Sequence, residues 1–337
     1  MKKLLGLLCL LFVLAPCAAL GEGTPAPSPA AQVTPTAKPT KTPAKKPTKT
    51  PAKKPTKTPA KKPTKTPAKA TKKATATPSP FLKKGETPVQ TDTRYQSDSI
   101  AIQITARRFE NTDVYVADIY VKSVRSFRRA YPGQKWGATA QRIVSFSQDQ
   151  KAILSMTGDS SNNFSSGWAI MNGVTLRKTV NRTRDLAVLY TTGKMVTLLA
   201  GKIDYAALAR EAEEGKIWQT FLFGPALLDE RGKAKTTFNS KVGPVNPRSV
   251  IGYYAPGHYC FVQVDGRRTP SALEKGKKNA GLTLKNLSKL MESLGCKAAY
   301  NLDGGQSSLM YFHGKIHSTP YKNGRRLSDI VLIRELK

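Results

Sequence analysis

Histidine is close to absent from this chain. Only three occur in 337 residues, at 258, 313 and 317, and no HExxH, CxxC or zinc-finger spacing is present, which leaves no basis for a His-rich metal centre or for a cofactor held by such a motif. Acids are scarce too, with 22 Asp and Glu against 55 Lys and Arg, for a net charge of +33. Cysteine is reduced to four, and Cys9 and Cys17 fall in an N-terminal leader. An exported protein can pair the remaining Cys260 and Cys296, but neither their spacing nor their count requires it. No apolar run reaches the roughly 20 residues of a membrane-spanning helix.

What is present divides the chain unevenly. Lys2 and Lys3 precede the apolar stretch from Leu4 to Leu14, and Ala19 and Gly21 supply the small residues before a cleavage point, so residues 1–21 read as an export signal. Leu14-Ala15-Pro16-Cys17 resembles a lipoprotein box with Pro16 where a small residue belongs, and lipid anchoring at Cys17 is the alternative reading. From Lys38 to Lys69 the octapeptide KPTKTPAK occurs four times in succession. So short a repeat with so few apolar side chains cannot offset the entropy of ordering, and residues 22–84 read as a disordered linker. With proline every few residues it would extend to at most roughly 200 Å, at about 3.1 Å per residue. The leader carries +2 and the linker +15, which leaves +16 on residues 85–337. This balance suits anionic cell-wall polymers or a membrane surface as partners, and the export signal argues against nucleic acid.

The remaining residues, 85–337, pattern as a series of strands and hairpins with two helices. Ser99–Thr105 and Val114–Val124 alternate apolar with polar residues and predict strands. Ser166–Val174 reads as strand, Asn-Gly turn, strand, and 185–190 with 195–199 as a second hairpin. Asp204 to Gly215 and Thr283 to Gly295 carry helix-capping residues at both ends. Phe223-Gly224-Pro225-Ala226-Leu227-Leu228 reads as a core strand bent at Gly-Pro.

The chemistry gathers in Ala298–Phe312, AAYNLDGGQSSLMYF. It predicts a strand, a tight turn and a second strand, with Asp303 where the first strand stops and Gly304 and Gly305 free to take φ > 0. A carboxylate, exposed amides and the hydroxyls of Ser307 and Ser308 would serve an anionic or sugar ligand, although on local pattern alone a plain hairpin with an Asp-Gly turn is the favoured reading. Three further segments bear polar groups. Met156-Thr157-Gly158-Asp159 ends a strand, Asn246-Pro247-Arg248-Ser249 starts one, and His258 heads an alternating run that finishes in Asp265-Gly266-Arg267. Taken singly, Asp159 suits an Asx-type loop, Arg248 a surface charge and His258 a structural role.

The stretch NLDGGQSSLM resembles the NLDGGGSSTM signature of the phosphodiester glycosidase family. FGPALL, NPRSVIG, the HYCFVQVDGR strand and the closing LSDIVLI resemble that family's segments in the same order. The resemblance implies an α+β domain, a mixed, largely antiparallel β-sheet with a few packed helices, over residues 85–337, and hydrolysis of the bond between a sugar anomeric carbon and a phosphodiester oxygen, on an N-acetylglucosamine-1-phosphodiester-like substrate. It implies Asp303 at the anomeric side as base or nucleophile, and Arg248 and Arg267 on the phosphate. Asp159 and Asp265 would orient water, hydroxyls or the arginines, and His258 would donate a proton. Gly304, Gly305, Ser307 and Ser308 would bind substrate through amides and hydroxyls. Gln306 stands at the family's third glycine and Thr157 at its usual Asn. The copy is shorter before Leu327, which leaves the alignment of Arg325 and Arg326 open. A non-catalytic wall-polymer-binding module is the alternative from another class. A serine hydrolase lacks its nucleophile elbow here.

Overall fold

The computed structural model describes residues 79–336. The export signal, the Cys17 alternative and the octapeptide repeat lie outside those residues. Residues 79–84, read from sequence as the end of the linker, already belong to the folded part. Leu82 donates its N–H to the Ser97 carbonyl and the Gln96 amide donates to the Pro80 carbonyl. Lys83 and Lys84 disguise this in the sequence, because the half-buried Phe81 and Leu82 precede them.

Among the described residues, three larger antiparallel sheets, a two-stranded ribbon of Thr269–Pro270 with Lys278–Asn279, and three α-helices make up the α+β architecture. The largest sheet has seven strands in the order Val89–Gln90, Arg94–Gln96, Ile100–Phe109, Thr112–Val121, His258–Val264, Arg248–Ala255, Ala298–Asn301. A five-stranded sheet runs Met195–Leu198, Leu186–Tyr190, Ile217–Phe221, Trp168–Met171, Val174–Lys178. A second runs Lys315–Ile316, Met310–Phe312, Leu154–Thr157, Ile330–Ile333, Phe127–Ala130.

The inner faces of all three sheets share one core, containing Ile119, Phe127, Met156, Leu189, Phe221, Phe261, Tyr300 and Val331. Each outer face carries one helix. Strand alternation explains how: along His258–Val264, Tyr259 and Phe261 enter the shared core while Cys260, Val262 and Val264 face the other way. There they meet α3 (Leu284–Ser293), whose Leu284, Leu287, Leu290 and Met291 form a buried stripe at helical spacing. Thr283 caps this helix through the Asn286 N–H, and Gly295 follows it at φ +78°. In the same way α2 (Tyr205–Glu213), capped by Asp204 through the Ala206 and Ala207 N–H groups, covers one five-stranded sheet, and α1 (Ile143–Asp149) the other.

The Asn172-Gly173 turn has both residues at positive φ, as a two-residue hairpin requires. Two expectations change. Ala298–Asn301 and Met310–Phe312 are both strands but do not pair: the first is an edge of the seven-stranded sheet and the second lies in a five-stranded one. The segment between them is a bridge from one sheet to another. Phe223–Leu228 is no regular strand either; it is tethered by single bridges, Ala226 to Tyr300 and Leu228 to Ala234. Cys260 and Cys296 are free thiols with sulfurs 3.7 Å apart, packed against Gly252, where a Cβ would collide with both.

Leu287→Ala should lower the unfolding free energy by about 2–5 kcal/mol because it empties fully buried space between α3 and the sheet. Asp204→Ala, which removes only a cap, should cost about 1 kcal/mol. Urea unfolding of the two variants measures both.

Candidate active site

Several strands end or begin on one side of the shared core, and the site is assembled from their continuations. Leu154–Thr157 runs into Gly158-Asp159-Ser160, Ile217–Phe221 into Leu222-Phe223, and Ala298–Asn301 into Leu302-Asp303. The Arg248–Ala255 strand starts there. Backbone bonds bind these continuations together: Asp303 N–H to the Gly158 carbonyl at 3.3 Å, Leu302 N–H to Ser249 at 2.8 Å, and Gly305 N–H to Pro247 at 3.0 Å. A cavity of about 150 Å³ opens between them, lined by Phe223, Arg248, Arg267, Asp303, Gly304 and Gly305 among others.

Asp303 is the only carboxylate in that lining. Its Oδ2 accepts from Ser307 Oγ at 2.8 Å, Ser160 Oγ at 3.1 Å and Arg325 Nη2 at 2.6 Å. Its Oδ1 accepts one bond, from the Gly304 N–H at 2.8 Å. A carboxylate oxygen has two acceptor sites, so Oδ1 retains capacity for a water or a substrate atom. Gly304 and Gly305 are needed for different reasons. Gly305 has φ +65°, and an added Cβ would lie 2.9 Å from the Arg267 guanidinium; Gly304 has extended backbone, but its Cβ would strike the Pro247 carbonyl at 2.7 Å.

Arg267 lies over Gly305 with Nε and Nη2 donating to Asn246 Oδ1, and it stacks on Tyr321 with 5.0 Å to the ring centre. Arg248 is buried and more committed. Nε donates to the Leu282 carbonyl, and Nη2 to the carbonyls of Pro244 and Gly243. Nη1 makes no hydrogen bond among the described residues, so this arginine braces two loops and, as a residue of the cavity lining, keeps donor capacity in reserve. Burial pulls its pKa down to about 10, and it stays charged at neutral pH. Ser307 reaches Asp303. Ser308 turns away and lies 3.5 Å from Ser249 Oγ. Thr157 donates to the Ser307 carbonyl and accepts from the Leu309 N–H, which pins the loop that carries both serines.

Three of the residues proposed for catalysis sit elsewhere. Asp159 is fully buried and accepts from the N–H groups of Leu222 and Phe223, with Arg129 3.7 Å away. It holds the Phe223 wall in place and does not line the cavity. Asp265 accepts the Thr319 N–H on Oδ2 and leaves Oδ1 buried without a partner. Burial, reinforced by the charge of Asp113, pushes its pKa up to about 7 against the pull of the Thr319 bond. His258 is at the opposite end of its strand. Its Nε2 lies 2.7 Å from Asp118, and its ring is stacked between Tyr120 and Tyr254. Six residues of strand at about 3.3 Å each separate it from Val264, so it stands some 20 Å from the Asp265 end.

Sequence reasoning missed three contributors: Arg325, paired with Asp303; Ser160, at φ +50°; and the Arg129–Asp329 pair beneath them. Asp329 accepts from Arg129 Nη2 at 2.7 Å and from the N–H groups of Asp159 and Ser160. The likeness of the closing segment to the family was the one signal for Asp329 and Arg325.

The model of the phosphodiester glycosidase family matches residues 144–334, more than half of the chain. The chain belongs to that family. The zebrafish N-acetylglucosamine-1-phosphodiester alpha-N-acetylglucosaminidase catalytic domain, solved in a form auto-inhibited by its pro-peptide, shares its fold. It has 18% identity and a TM-score of 0.54 over 70% of this chain and 83% of that one. A hypothetical protein from Synechocystis matches at 14% identity and a TM-score of 0.47, over 71% of this chain and 63% of that one. No curated protein matches the chain. The polar residues that the family-like segments and the cavity have in common include Asp303, Arg248, Arg267 and Asn246, with Gly304 and Gly305 beside Asp303.

Asp265 gives the domain a pH signature. Its folded pKa of about 7 lies above the ordinary 3.8, so between these values the folded state holds a proton that the unfolded chain releases. Its contribution is complete below pH ~4 and is lost as pH rises, by at most about 1.4 kcal/mol per unit, until pH ~7. Asp265→Asn should remove that slope, as read from urea midpoints across pH 4–8.

Proposed function

We propose that this protein hydrolyses the glycosidic bond of a sugar 1-phosphodiester, on an N-acetylglucosamine-1-phosphodiester-like substrate. The observation that carries the reading is that Asp303, whose Oδ1 has spare acceptor capacity, lines the same small cavity as Arg267 and Arg248. Breaking this bond develops positive charge at the anomeric carbon and negative charge on the departing phosphate, so an acid and a pair of cations in one cavity answer both. Asp303 acts at the anomeric carbon, as base toward water or as nucleophile. Arg267 and Arg248 receive the phosphate.

Most glycosidases need a second carboxyl group to protonate a poor alkoxide leaving group. A phosphate monoester leaves as a stabilised anion, so a cavity with one carboxylate and two guanidiniums meets the demand without His258 or a second acid. The family supports the reaction class, and the sugar is suggested by the name of the zebrafish protein of like fold. On the leader and the lysine-rich segment we place the protein outside the cytoplasm, with residues 22–84 against an anionic wall or membrane surface.

Proton and phosphorus NMR of the protein with an N-acetylglucosamine 1-phosphodiester provides the test. The wild type should release sugar and phosphate monoester, and Asp303→Asn should reduce the rate by about 10²–10⁴. Arg325→Gln should cost less, since Ser160 and Ser307 still hold Asp303. If neither wild type nor variant turned over a panel of sugar phosphodiesters while both bound wall polymer equally, the protein would be a binding module.

A further inference from the structure

Three arginines gather on the outer face of the Phe127–Ala130 edge strand with no acid to neutralise them. Alternation along that strand sends Arg129 inward to Asp329 and Arg128 outward. Arg128 pairs in register with Leu332, and the ladder continues one step further through the Arg334 N–H, which donates to the Ser126 carbonyl. Arg334 is two residues beyond Leu332 and so shares the face of Arg128. Arg125 reaches the same region from the preceding turn. Its guanidinium and that of Arg128 lie 6.0 and 5.5 Å from the ring centre of Trp218.

Arg128 and Arg334 line a cavity of about 360 Å³ together with Gln134, Trp136, Gln150 and Asn172. Among the described residues no carboxylate forms an ion pair with Arg125, Arg128 or Arg334; the only polar bond of the Arg334 guanidinium is to the Gln150 carbonyl at 3.3 Å. Burial, with the charges of Arg334 and Arg125, pulls the Arg128 pKa down. Like charges held together against partial burial are a standing cost that a bound anion would relieve.

We infer that this cavity is a second anion site, separate from the Asp303 cavity, and that it takes a phosphate group. The Arg128 and Arg334 guanidiniums in the lining, with Arg125 beside them against Trp218, supply more donors than the two oxygens of a carboxylate use, and they match the terminal oxygens of a phosphate. The volume leaves room beside the anion for a group of monosaccharide size, with the Trp136 indole in the wall to stack against it. The phosphate is either the free ion or one borne on a sugar.

The test is a tryptophan-fluorescence titration of the full chain with inorganic phosphate and, separately, with N-acetylglucosamine 1-phosphate. Arg128→Gln and Arg334→Gln are compared with wild type, and Arg125→Gln, at an exposed turn, probes the site without disturbing a packed side chain. The lysine-rich segment is common to all four proteins, so anion binding there cancels in the comparison. A saturable response in wild type, weakened by about tenfold or more in the variants, is expected from the loss of one charge-assisted contact. Phosphate should also raise the melting temperature of wild type more than that of the variants. Tighter binding of the sugar phosphate would assign a glycan-borne group, and equal affinity the free ion; either keeps the site. The absence of a saturable response, or equal affinity in wild type and all three variants, would overturn it.

Discussion

The carboxylate of Asp329 is the tie on which the site's geometry depends. It begins one strand of a five-stranded sheet, accepts the guanidinium of Arg129 from the neighbouring strand, and takes the N–H groups of Asp159 and Ser160 from the loop after Leu154–Thr157. Arg129 donates onward to the Thr220 carbonyl in the other five-stranded sheet, and Asp159 holds Leu222 and Phe223 by their amides. Gly158 is confined by the same carboxylate, which lies 2.5 Å from where a Cβ would stand. Buried charges repay their desolvation only when every partner is in place. Here the Asp329 carboxylate accepts from Arg129 and from both loop amides, and Ser160 sits at positive φ, which delivers its hydroxyl to Asp303. One acid, wholly buried, thus orients the other.

That division of labour explains why a site rich in acids in the sequence has one in the cavity. Asp159 and Asp329 are spent on joining two sheets, Asp265 on a loop amide, and only Asp303 faces open space. The arginines divide likewise. Arg129 is structural, Arg248 is shared between bracing and the cavity, and Arg267 and Arg325 approach the site from loops.

Much of the local structure was legible because the signals are short-range. Asn172-Gly173 specified its turn, and Asp204 and Thr283 their helices, through contacts within four residues. The helix Ile143–Asp149 was not legible, being seven residues long with Arg142 at its N-cap and no capping side chain. Nor was the separation of Ala298–Asn301 from Met310–Phe312, since strand signals say nothing about which sheet a strand joins. In the site, Asp303, its two glycines and Arg267 stood out through clustering in sequence. Arg325 arrives from 22 residues further on, and His258 was misplaced because a strand carries its two ends in opposite directions.

Gly305 acts as a spacer of minimum thickness. Between the Arg267 guanidinium and the peptide that follows Asp303 there is only a hydrogen atom, so the cation rests against bare backbone as a coin rests on a table. The separation between the Asp303 carboxylate and the Arg267 guanidinium is therefore set by the smallest side chain available. A lineage that enlarged this residue would be re-cutting the distance between that carboxylate and that guanidinium, with every charged group still in the sequence.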